Sequence, residues 1–191
     1  MKIILLGYNG LIGSYILKKF AKYVERKNNL ELVCVGRKIK HQPYRNIKIK
    51  YIKWNFITFT KSKLYFLDKE NIIINCVGKN NSDEKNLKAI NVLFIKKLIS
   101  YIQYNKILVH FIHLGSVSVY GAQKRNLGRI SNITEKSQTN PDSLYSKSKL
   151  EAEIYIQKIS TNNKKFSFTI LRITNVFSEL KNSNSFRLIY F

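Results

Sequence analysis

The segment IILLGYNGLIG, residues 3–13, constrains the fold of this chain more than any other stretch of its sequence. Ile3 to Leu6 is a continuous apolar run, as expected of a strand buried on both faces of a sheet. From Leu11 to about Arg26, apolar residues recur at helical spacing, which predicts an amphipathic helix. The segment therefore predicts a buried strand, a glycine-bearing turn and a helix in direct succession.

The glycines of this turn follow the spacing G-x-x-G-x-x-G. In such a turn one glycine permits the tight bend, one lets the backbone approach a pyrophosphate, and one allows close helix–sheet packing. The helix that follows points free N–H groups and the positive end of its dipole at the pyrophosphate. We favour a dinucleotide-binding turn over an ordinary strand–helix connection. The expected cofactor-binding residues are Gly7, Asn9, Gly10, Leu11, Ile12 and Gly13.

The rest of the sequence alternates apolar runs with helical patterns. Further strands are predicted at Leu30–Val35, around Ile47–Ile52, at Ile72–Val77, at Ile107–Leu114 and at Phe166–Ile173. Further helices are predicted at about Lys61–Lys69, Glu84–Tyr104 and Leu144–Ile159, the last capped by Asp142 or Ser143. This alternation predicts an α/β fold, a Rossmann-like doubly wound parallel sheet with helices on both faces. Such a sheet binds ligands outside the carboxyl ends of its strands.

The formal net charge of +23 raises the question of a polyanionic partner. Only seven of the 34 basic residues are arginines, and the lysines are spread along the whole chain. Arginine binds phosphates and bases better than lysine does, because its planar guanidinium can donate two parallel hydrogen bonds. An excess of positive charge that consists mainly of lysine therefore does not indicate a dedicated nucleic-acid surface. We expect no specific nucleic-acid partner, although a basic nucleic-acid binder stays open as one hypothesis.

The cysteines and the lengths of the apolar runs indicate the cellular compartment in which the protein is expected. Cys34 and Cys76 both lie in apolar strand-like runs, so buried free thiols are expected, which suits a reducing cytoplasm. No Cys/His cluster has metal-ligand spacing, so no metal is predicted. No apolar run approaches the length that spans a bilayer. A cytoplasmic protein is the expectation.

The pattern Tyr-x-x-x-Lys carries little information by itself, because six copies begin at Tyr15, Tyr23, Tyr44, Tyr65, Tyr120 and Tyr145. One copy, Tyr145 with Lys149, has a distinctive context. Upstream of it, the segment HLGSVSVYG follows the fifth predicted strand and places Ser116 at the carboxyl end of a parallel strand, where the ligand cleft is expected. Taken alone, Ser116 would be interpreted as a strand-end hydroxyl that satisfies local backbone.

Taken together and in this order, the glycine turn, Ser116 and the Tyr145/Lys149 pair resemble the short-chain dehydrogenase/reductase superfamily. SVSVYG is similar to Ser/Thr-x-x-Val-Tyr-Gly of its extended branch, the nucleotide-sugar epimerases, dehydratases and reductases. YSKSKLEAE is similar to that branch's Tyr-x-x-Ser-Lys helix, and INCVG and LRITNVFS resemble two of its strand-end segments. The resemblance covers essentially the whole chain.

The resemblance implies an NAD(P)-dependent nucleotide-sugar epimerase or reductase, for instance in surface polysaccharide synthesis. Its catalytic residues would be Tyr145 as acid/base, Lys149 as the cation that lowers the tyrosine pKa and holds the nicotinamide ribose, and Ser116 as the orienter of the substrate oxygen. Residues four apart on a helix share a face, so Tyr145 and Lys149 can address one ligand. An ammonium about 4 Å from a phenolate supplies roughly the 4 kcal/mol that a three-unit pKa decrease needs.

Three further residues acquire roles by resemblance. Val77 would pass the cofactor at the end of the fourth strand, Asn55 would lie near the adenine, and Asn175 would contact the substrate. Val117 and Ser118 stand where the sugar dehydratases have an acidic pair, which favours an epimerase or reductase over dehydration.

The residues at the end of the second predicted strand bear on the choice between NAD and NADP as the cofactor. An acidic residue at its end would bind the adenosine ribose hydroxyls and favour NAD, but Gly36 stands there, followed by Arg37. Arg37 can pair with a 2′-phosphate, so NADP is favoured over NAD. The alternative is an ordinary solvated arginine after a strand.

The chain departs from the resemblance at its end, because extended members of the superfamily continue into a smaller substrate domain. We expect residues 1–178 to form the NAD(P)-binding domain, and residues 179–191 to be a tail or the start of a missing substrate domain. A non-catalytic, truncated dinucleotide-binding relative is therefore the alternative hypothesis. The resemblance also implies a homodimer, paired through the helices Glu84–Tyr104 and Leu144–Ile159.

Overall fold

One parallel sheet organises the computed structural model, which describes residues 2–26, 30–39, 48–121, 132–161 and 163–176. Its strands are β1 (Lys2–Leu6), β2 (Glu31–Gly36), β3 (Ile49–Lys53), β4 (Glu70–Asn75), β5 (Leu108–Ser116) and β6 (Phe166–Ile173). They lie in the order β3-β2-β1-β4-β5-β6, and every neighbouring pair is parallel. The strand order reverses between β1 and β4, and ligands bind at such switch points.

Helices cover both faces of the sheet. They are α1 (Leu11–Arg26), α2 (Glu84–Leu87), α3 (Phe94–Tyr104) and α4 (Leu144–Thr161). Ile3 and Leu5 of β1 pack in a cluster with Leu17 of α1, whereas Ile4 and Leu6 pack in a second cluster with α3 and α4. Successive strand side chains point to opposite faces, so a strand covered on both sides is apolar throughout. The predicted doubly wound, Rossmann-like fold is confirmed.

The predicted helix Glu84–Tyr104 is interrupted by a π-helical segment, Lys88–Leu93, that joins α2 to α3. The widened turn carries Asn91, whose side chain is buried and bonded to the backbone of Lys79. Apolar periodicity does not reveal such a segment, because the buried face continues through it. π-Helical segments are rare in proteins as a whole, and those that do occur often lie at functional sites.

Several boundaries differ from prediction. The fifth strand continues past Leu114 to Ser116, so Ser116 is the last residue of β5. The helix predicted at Lys61–Lys69 is a short 3₁₀ helix, Lys61–Phe66, which ends where Leu67 takes an extended conformation. The third strand begins at Ile49, and the predicted start at Ile47 lies outside the described residues.

Candidate active site

The three glycines of the turn after β1 do three different things. Gly7 has φ +79°, and its N–H donates to Val35 O at 2.8 Å. A Cβ on Gly13 would collide with the carbonyl of Gly7, so that glycine lets α1 start against the turn. Gly10 is exposed, and a Cβ there would meet only Gly7 O, at 3.3 Å. Two glycines therefore serve the fold, and the third leaves an open backbone surface.

The other predicted residues of this turn lie around that open surface. Asn9 is exposed and donates through Nδ2 to Lys38 O at 2.7 Å, which joins the turn to the chain after β2. Leu11 and Ile12 begin α1. The first N–H groups of a helix have no intrahelical acceptors. A phosphate placed beside Gly10 would face these free donors and the positive end of the helix dipole.

Position 36, the last residue of β2, must be a glycine because the Tyr8 ring leaves no room for a side chain there. A Cβ on Gly36 would lie 2.8 Å from Tyr8 Cε1 and 2.9 Å from Asn9 Oδ1. Tyr8 is buried and packs edge-on against Tyr51, so it cannot easily withdraw. An acidic side chain at position 36 is therefore incompatible with this packing. Arg37 is exposed beside it, and its pairing with a 2′-phosphate stays a prediction.

Val77 and Asn55 follow strands that lie on opposite sides of β1 in the sheet, β4 for Val77 and β3 for Asn55. Val77 is buried and follows β4; its N–H donates to Asn75 Oδ1 at 3.1 Å, and its N atom would be 3.1 Å from a Cβ on Gly7. It therefore borders the glycine turn, and its contact with a cofactor stays a prediction. Asn55 is exposed after β3, and its Oδ1 accepts from Ile57 N at 3.0 Å. Its proximity to an adenine stays a prediction.

Ser116 and Tyr145 are brought together. Ser116 closes β5 and is 9% exposed, and its hydroxyl lies close enough to the Tyr145 side chain, near the start of α4, to lower the pKa of that phenol. Ser118 adds a hydroxyl that sequence reasoning missed. Its N–H and Oγ donate to Ser116 Oγ at 3.2 and 2.8 Å. Three hydroxyls therefore converge at the carboxyl end of β5.

Lys149 lies one turn beyond Tyr145 but does not set the tyrosine pKa as predicted. Its buried ammonium donates to Leu114 O. Burial lowers the pKa of Lys149 to about 8, against the opposing charge effects of Glu153 and Cys76. Burial raises the pKa of Tyr145, and the nearby Ser116 hydroxyl opposes that rise. The expected decrease of the Tyr145 pKa is wrong for this arrangement, because desolvation of the phenol dominates.

Asn91 connects the segment that follows β4 to α4. Its Oδ1 accepts from Lys79 N, and its Nδ2 donates to Lys79 O and to Ser148 Oγ, each at 2.9 Å. Ser148 in turn donates to Tyr145 O at 2.7 Å. The segment after β4 is thereby fastened to the helix that carries Tyr145 and Lys149.

A buried histidine lies next to Lys149 and was not predicted as part of the site. Asn75 Oδ1 accepts from Val77 N, so the amide Nδ2 faces His113 Nδ1 at 3.2 Å. His113 Nδ1 must therefore accept, which leaves the proton on Nε2. Burial, aided by the Lys149 charge, lowers the pKa of His113 well below its ordinary value. His113 is a neutral ring at pH 7.

Behind Ser116 lies a buried ion pair that sequence reasoning also missed. Glu153 Oε2 accepts from Arg172 Nε at 2.9 Å and pairs with Nη2 at 2.9 Å. Arg172 Nη1 donates to Tyr120 Oη at 2.6 Å, and its guanidinium lies 4.8 Å from the Tyr120 ring centroid. The available signal was spacing, because Tyr145, Lys149 and Glu153 recur every four residues on one helix face.

The remaining predictions concern the end of the chain. Asn175 is exposed, two residues after β6, and its contact with a substrate stays a prediction. Residues 179–191 lie outside the described residues. Within the described ranges there is no group of three or more His, Cys, Asp or Glu side chains placed to bind a metal. Nor is any described helix long and apolar enough to cross a membrane.

A parallel sheet with this strand order and a glycine turn at its switch point define a Rossmann-like domain. The sequence profile of the NAD dependent epimerase/dehydratase family matches residues 3–189. The chain therefore belongs to the NAD dependent epimerase/dehydratase family.

Solved structures confirm the fold. The UDP-N-acetylglucosamine 4-epimerase of Methanobrevibacter ruminantium superposes with a TM-score of 0.76 at 18% identity, over 96% of this chain and 58% of that one. The UDP-glucuronic acid 4-epimerase of Bacillus cereus, in complex with NAD, gives 0.72 at 20% identity, over 93% of this chain and 57% of that one. An uncharacterized protein of Schizosaccharomyces pombe is 32% identical over 101 residues, 52% of this chain and 25% of that protein. This chain spans little more than half the length of these solved chains and a quarter of that relative.

Proposed function

We propose that this chain carries the dinucleotide-binding and proton-transfer half of an NAD(P)-dependent nucleotide-sugar epimerase or reductase. The observation that supports this most is the meeting of Ser116 and Tyr145 at the carboxyl end of β5, one helical turn from buried Lys149. Hydroxyl and ammonium groups at this edge of a parallel sheet face the place where a ligand binds. Family membership supports the cofactor and reaction class, and the neighbours named above support a UDP-sugar as substrate.

The residues present fit a dinucleotide. Gly10 leaves the backbone open beside the N-terminus of α1, so this turn would hold a pyrophosphate. Lys149 would bind the nicotinamide ribose, close to Tyr145. The nicotinamide, when bound, supplies and recovers the hydride. The protein's own part is to hold the sugar in position and to move one proton.

Tyr145 is the proposed proton donor and acceptor. Because burial raises the pKa of Tyr145, its hydroxyl carries its proton at neutral pH and can donate it to an oxyanion that forms on the sugar. Ser116 would hold the same sugar oxygen through its own hydroxyl. For the reverse transfer Tyr145 must first lose its proton to solvent, and the Ser116 hydroxyl, which opposes the rise of the Tyr145 pKa caused by burial, favours that loss.

The function is tested by turnover of UDP-sugars with Tyr145→Phe. We expect the rate to fall by at least about 10²-fold, the smaller end of what general acid–base catalysis contributes. Tyr155→Phe is the matched control, because Tyr155 lies on the same helix and its hydroxyl bonds only to Ser100 on the outer surface, at 3.1 Å. Full activity in Tyr145→Phe would contradict the proposed mechanism.

A non-catalytic dinucleotide-binding protein is the second candidate function, because the buried Lys149 ammonium donates to Leu114 O and burial raises the pKa of Tyr145. It predicts that NAD or NADP raises the melting temperature while no UDP-sugar is converted. Turnover that disappears in Tyr145→Phe would exclude it.

The preference for NADP is a separate proposal, supported by the absence of a side chain at Gly36 and by the neighbouring Arg37. Dissociation constants for NADP and NAD should differ in favour of NADP, and Arg37→Ala should remove the difference. Equal affinities that Arg37→Ala leaves unchanged would sink this proposal.

Self-association through α3 and α4 also stays a prediction. Ile154 of α4 and Leu93 before α3 are 55% and 41% exposed. Sedimentation equilibrium tests the point: Ile154→Glu should lower the mass if these helices pair two copies, and a monomeric wild type would end the idea.

A further inference from the structure

Glu153 is the most deeply buried carboxylate of the described chain. Its side chain is 1% exposed, and it lies one turn beyond Lys149 on α4, on the face that carries Tyr145. A buried charge is costly unless it is paired and hydrogen-bonded. The position of Glu153 behind the proposed proton-transfer site therefore needs an explanation from its contacts.

The two carboxylate oxygens have different surroundings. Oε2 takes both contacts from Arg172, each at 2.9 Å. Oε1 has no hydrogen-bond partner among the described residues and faces the backbone at the end of β5. A Cβ on Gly115 would collide with Oε1. Burial raises the pKa of the carboxyl, and the hydrogen bond and charge of Arg172 oppose that rise. One oxygen is therefore committed to Arg172, and the other is pressed against Gly115, the residue before Ser116 in β5.

Arg172 extends this contact to the turn that follows Ser116. Its Nη1 bonds to Tyr120 Oη at 2.6 Å, at the end of the 3₁₀ helix Val117–Tyr120. Ser118, inside that helix, is the residue whose N–H and hydroxyl bond to Ser116 Oγ. The carboxylate thus supports Ser116 from two directions: Oε1 lies against Gly115, the residue before it, and Arg172 bonds to the turn after it.

Glu153 is also the one described carboxylate that acts on Lys149. Around this ammonium, the segment directly after β4 contributes the Cys76 thiol, β5 contributes Leu114 O and the neutral His113 ring, and α4 contributes Glu153. Burial raises the pKa of Cys76 to about 12, so that thiol is uncharged at pH 7. The negative charge that offsets the burial of Lys149 at neutral pH comes from Glu153.

We propose that Glu153 is a positioning residue of the site: its buried carboxylate holds Ser116 in place and keeps the Lys149 ammonium charged. The inference rests on the proposed function where it concerns turnover, but the charge state of Lys149 can be measured without any turnover. A merely structural ion pair with Arg172 is the competing explanation. It predicts no effect on Lys149 beyond what a neutral pair of the same shape would give.

The first test is the titration of Lys149 in protein labelled with ¹³Cε-lysine, with the resonance assigned from Lys149→Arg. In Glu153→Gln the midpoint should fall by about one pH unit or more, because a carboxylate within a few ångströms shifts a neighbouring group by that amount. Glu151→Gln is the matched control, since Glu151 lies on the same helix and pairs at 2.7 Å with Lys96, whose side chain is 35% exposed. The control should leave the midpoint unchanged. An unchanged midpoint in folded Glu153→Gln would overturn the proposal.

A double variant covers the case in which Glu153→Gln does not fold, since it leaves Arg172 buried beside a neutral group. Glu153→Gln with Arg172→Gln replaces the ion pair by two amides. If this variant regains stability while the Lys149 midpoint stays low and kcat is reduced with KM unchanged, the carboxylate has the positioning role. If it regains the wild-type midpoint and kcat, the pair is only structural and the proposal fails. Should Tyr145→Phe leave turnover intact, the proposed function fails, while the Lys149 titration still decides the role of Glu153.

Discussion

The glycine turn after β1 and the charged cluster behind Ser116 lie at the same edge of the sheet, but different forces hold them. The turn contains no ionisable group other than Tyr8, and close backbone contacts fix its shape. The cluster is built from Lys149, Glu153 and Arg172, whose charges are taken out of water and must balance. The turn should therefore be sensitive to added atoms and indifferent to pH, whereas the cluster should be sensitive to charge.

The largest effect on the free energy of unfolding is expected in the glycine turn. Gly13→Ala places a methyl group on the backbone carbonyl of Gly7, which cannot move without shifting Gly7 against Cys76 and Val77. We expect a loss of unfolding free energy of at least about 3 kcal/mol, the upper part of the usual overpacking range. Denaturant unfolding measures it.

Gly10→Ala is the matched control for that change. Its methyl group would meet Gly7 O at 3.3 Å, which requires only a small adjustment. The variant should lose no more than about 1 kcal/mol, within the range of ordinary substitutions. If Gly10 faces a pyrophosphate, calorimetry should nevertheless show weakened dinucleotide binding. Equal stability losses in the two variants would show that the glycines are not specialised.

The cluster is best tested through pH, and Lys149 gives the next largest effect. The pKa of Lys149 is lowered to about 8 in the fold, against 10.5 for an ordinary lysine. Between these values the unfolded chain binds a proton that the folded chain does not, so stability rises with pH. Relative to Lys149→Met, the wild type should gain about 3 kcal/mol from pH 8 to 10.5. A constant difference between the two proteins would contradict the buried charge.

His113 gives a smaller effect at acidic pH. Its pKa is lowered well below 6.5, so under acid the unfolded chain takes up a proton before the folded chain does. Stability should fall as the pH drops below about 6.5, by up to about 1.4 kcal/mol per unit from this one group. The decline should be shallower in His113→Leu. Parallel curves for the two proteins would mean that His113 accepts a proton inside the fold.

The smallest effect is expected at Glu151, which shares α4 with the buried Glu153. Glu151 pairs with Lys96 at the surface, whereas Glu153 pairs with Arg172 inside the protein. Glu151→Gln should cost less than about 1 kcal/mol, as exposed pairs do. Glu153→Gln should cost about 3 kcal/mol or more, because Arg172 is left without its counter-charge. Similar costs at both positions would remove the contrast between surface and buried pairs.

Local signals in the sequence were sufficient for the glycine turn and the sheet. A continuous apolar run marks a strand covered on both faces, and the glycine spacing marks a turn with no room for side chains. The same signals misjudged the helix through Asn91, because its buried amide depends on Lys79 and Ser148, which are distant in sequence. They also ended the fifth strand two residues before Ser116.

The chemistry of the site was predicted less well than its location. Ser116 lies close to Tyr145, with Lys149 one helical turn further on, and their catalytic roles stay a prediction. The expected decrease of the Tyr145 pKa was wrong, because burial raises it. The prediction used the distance between two groups on a helix and left out the burial of both. His113, Ser118 and Glu153 were missed because nothing in their local sequence distinguishes them from strand-end or helix-surface residues.

The sequence by itself determined the order of strands and helices, the parallel sheet, the glycine turn and the identity of the hydroxyl and lysine groups at its edge. These follow from periodicity, glycine placement and motif order, which are properties of neighbouring residues. Only the tertiary structure decided which charges are buried and what balances them. Desolvation depends on everything packed around a group, and Lys149 is packed among Leu114 and His113 of β5 and Cys76, which directly follows β4.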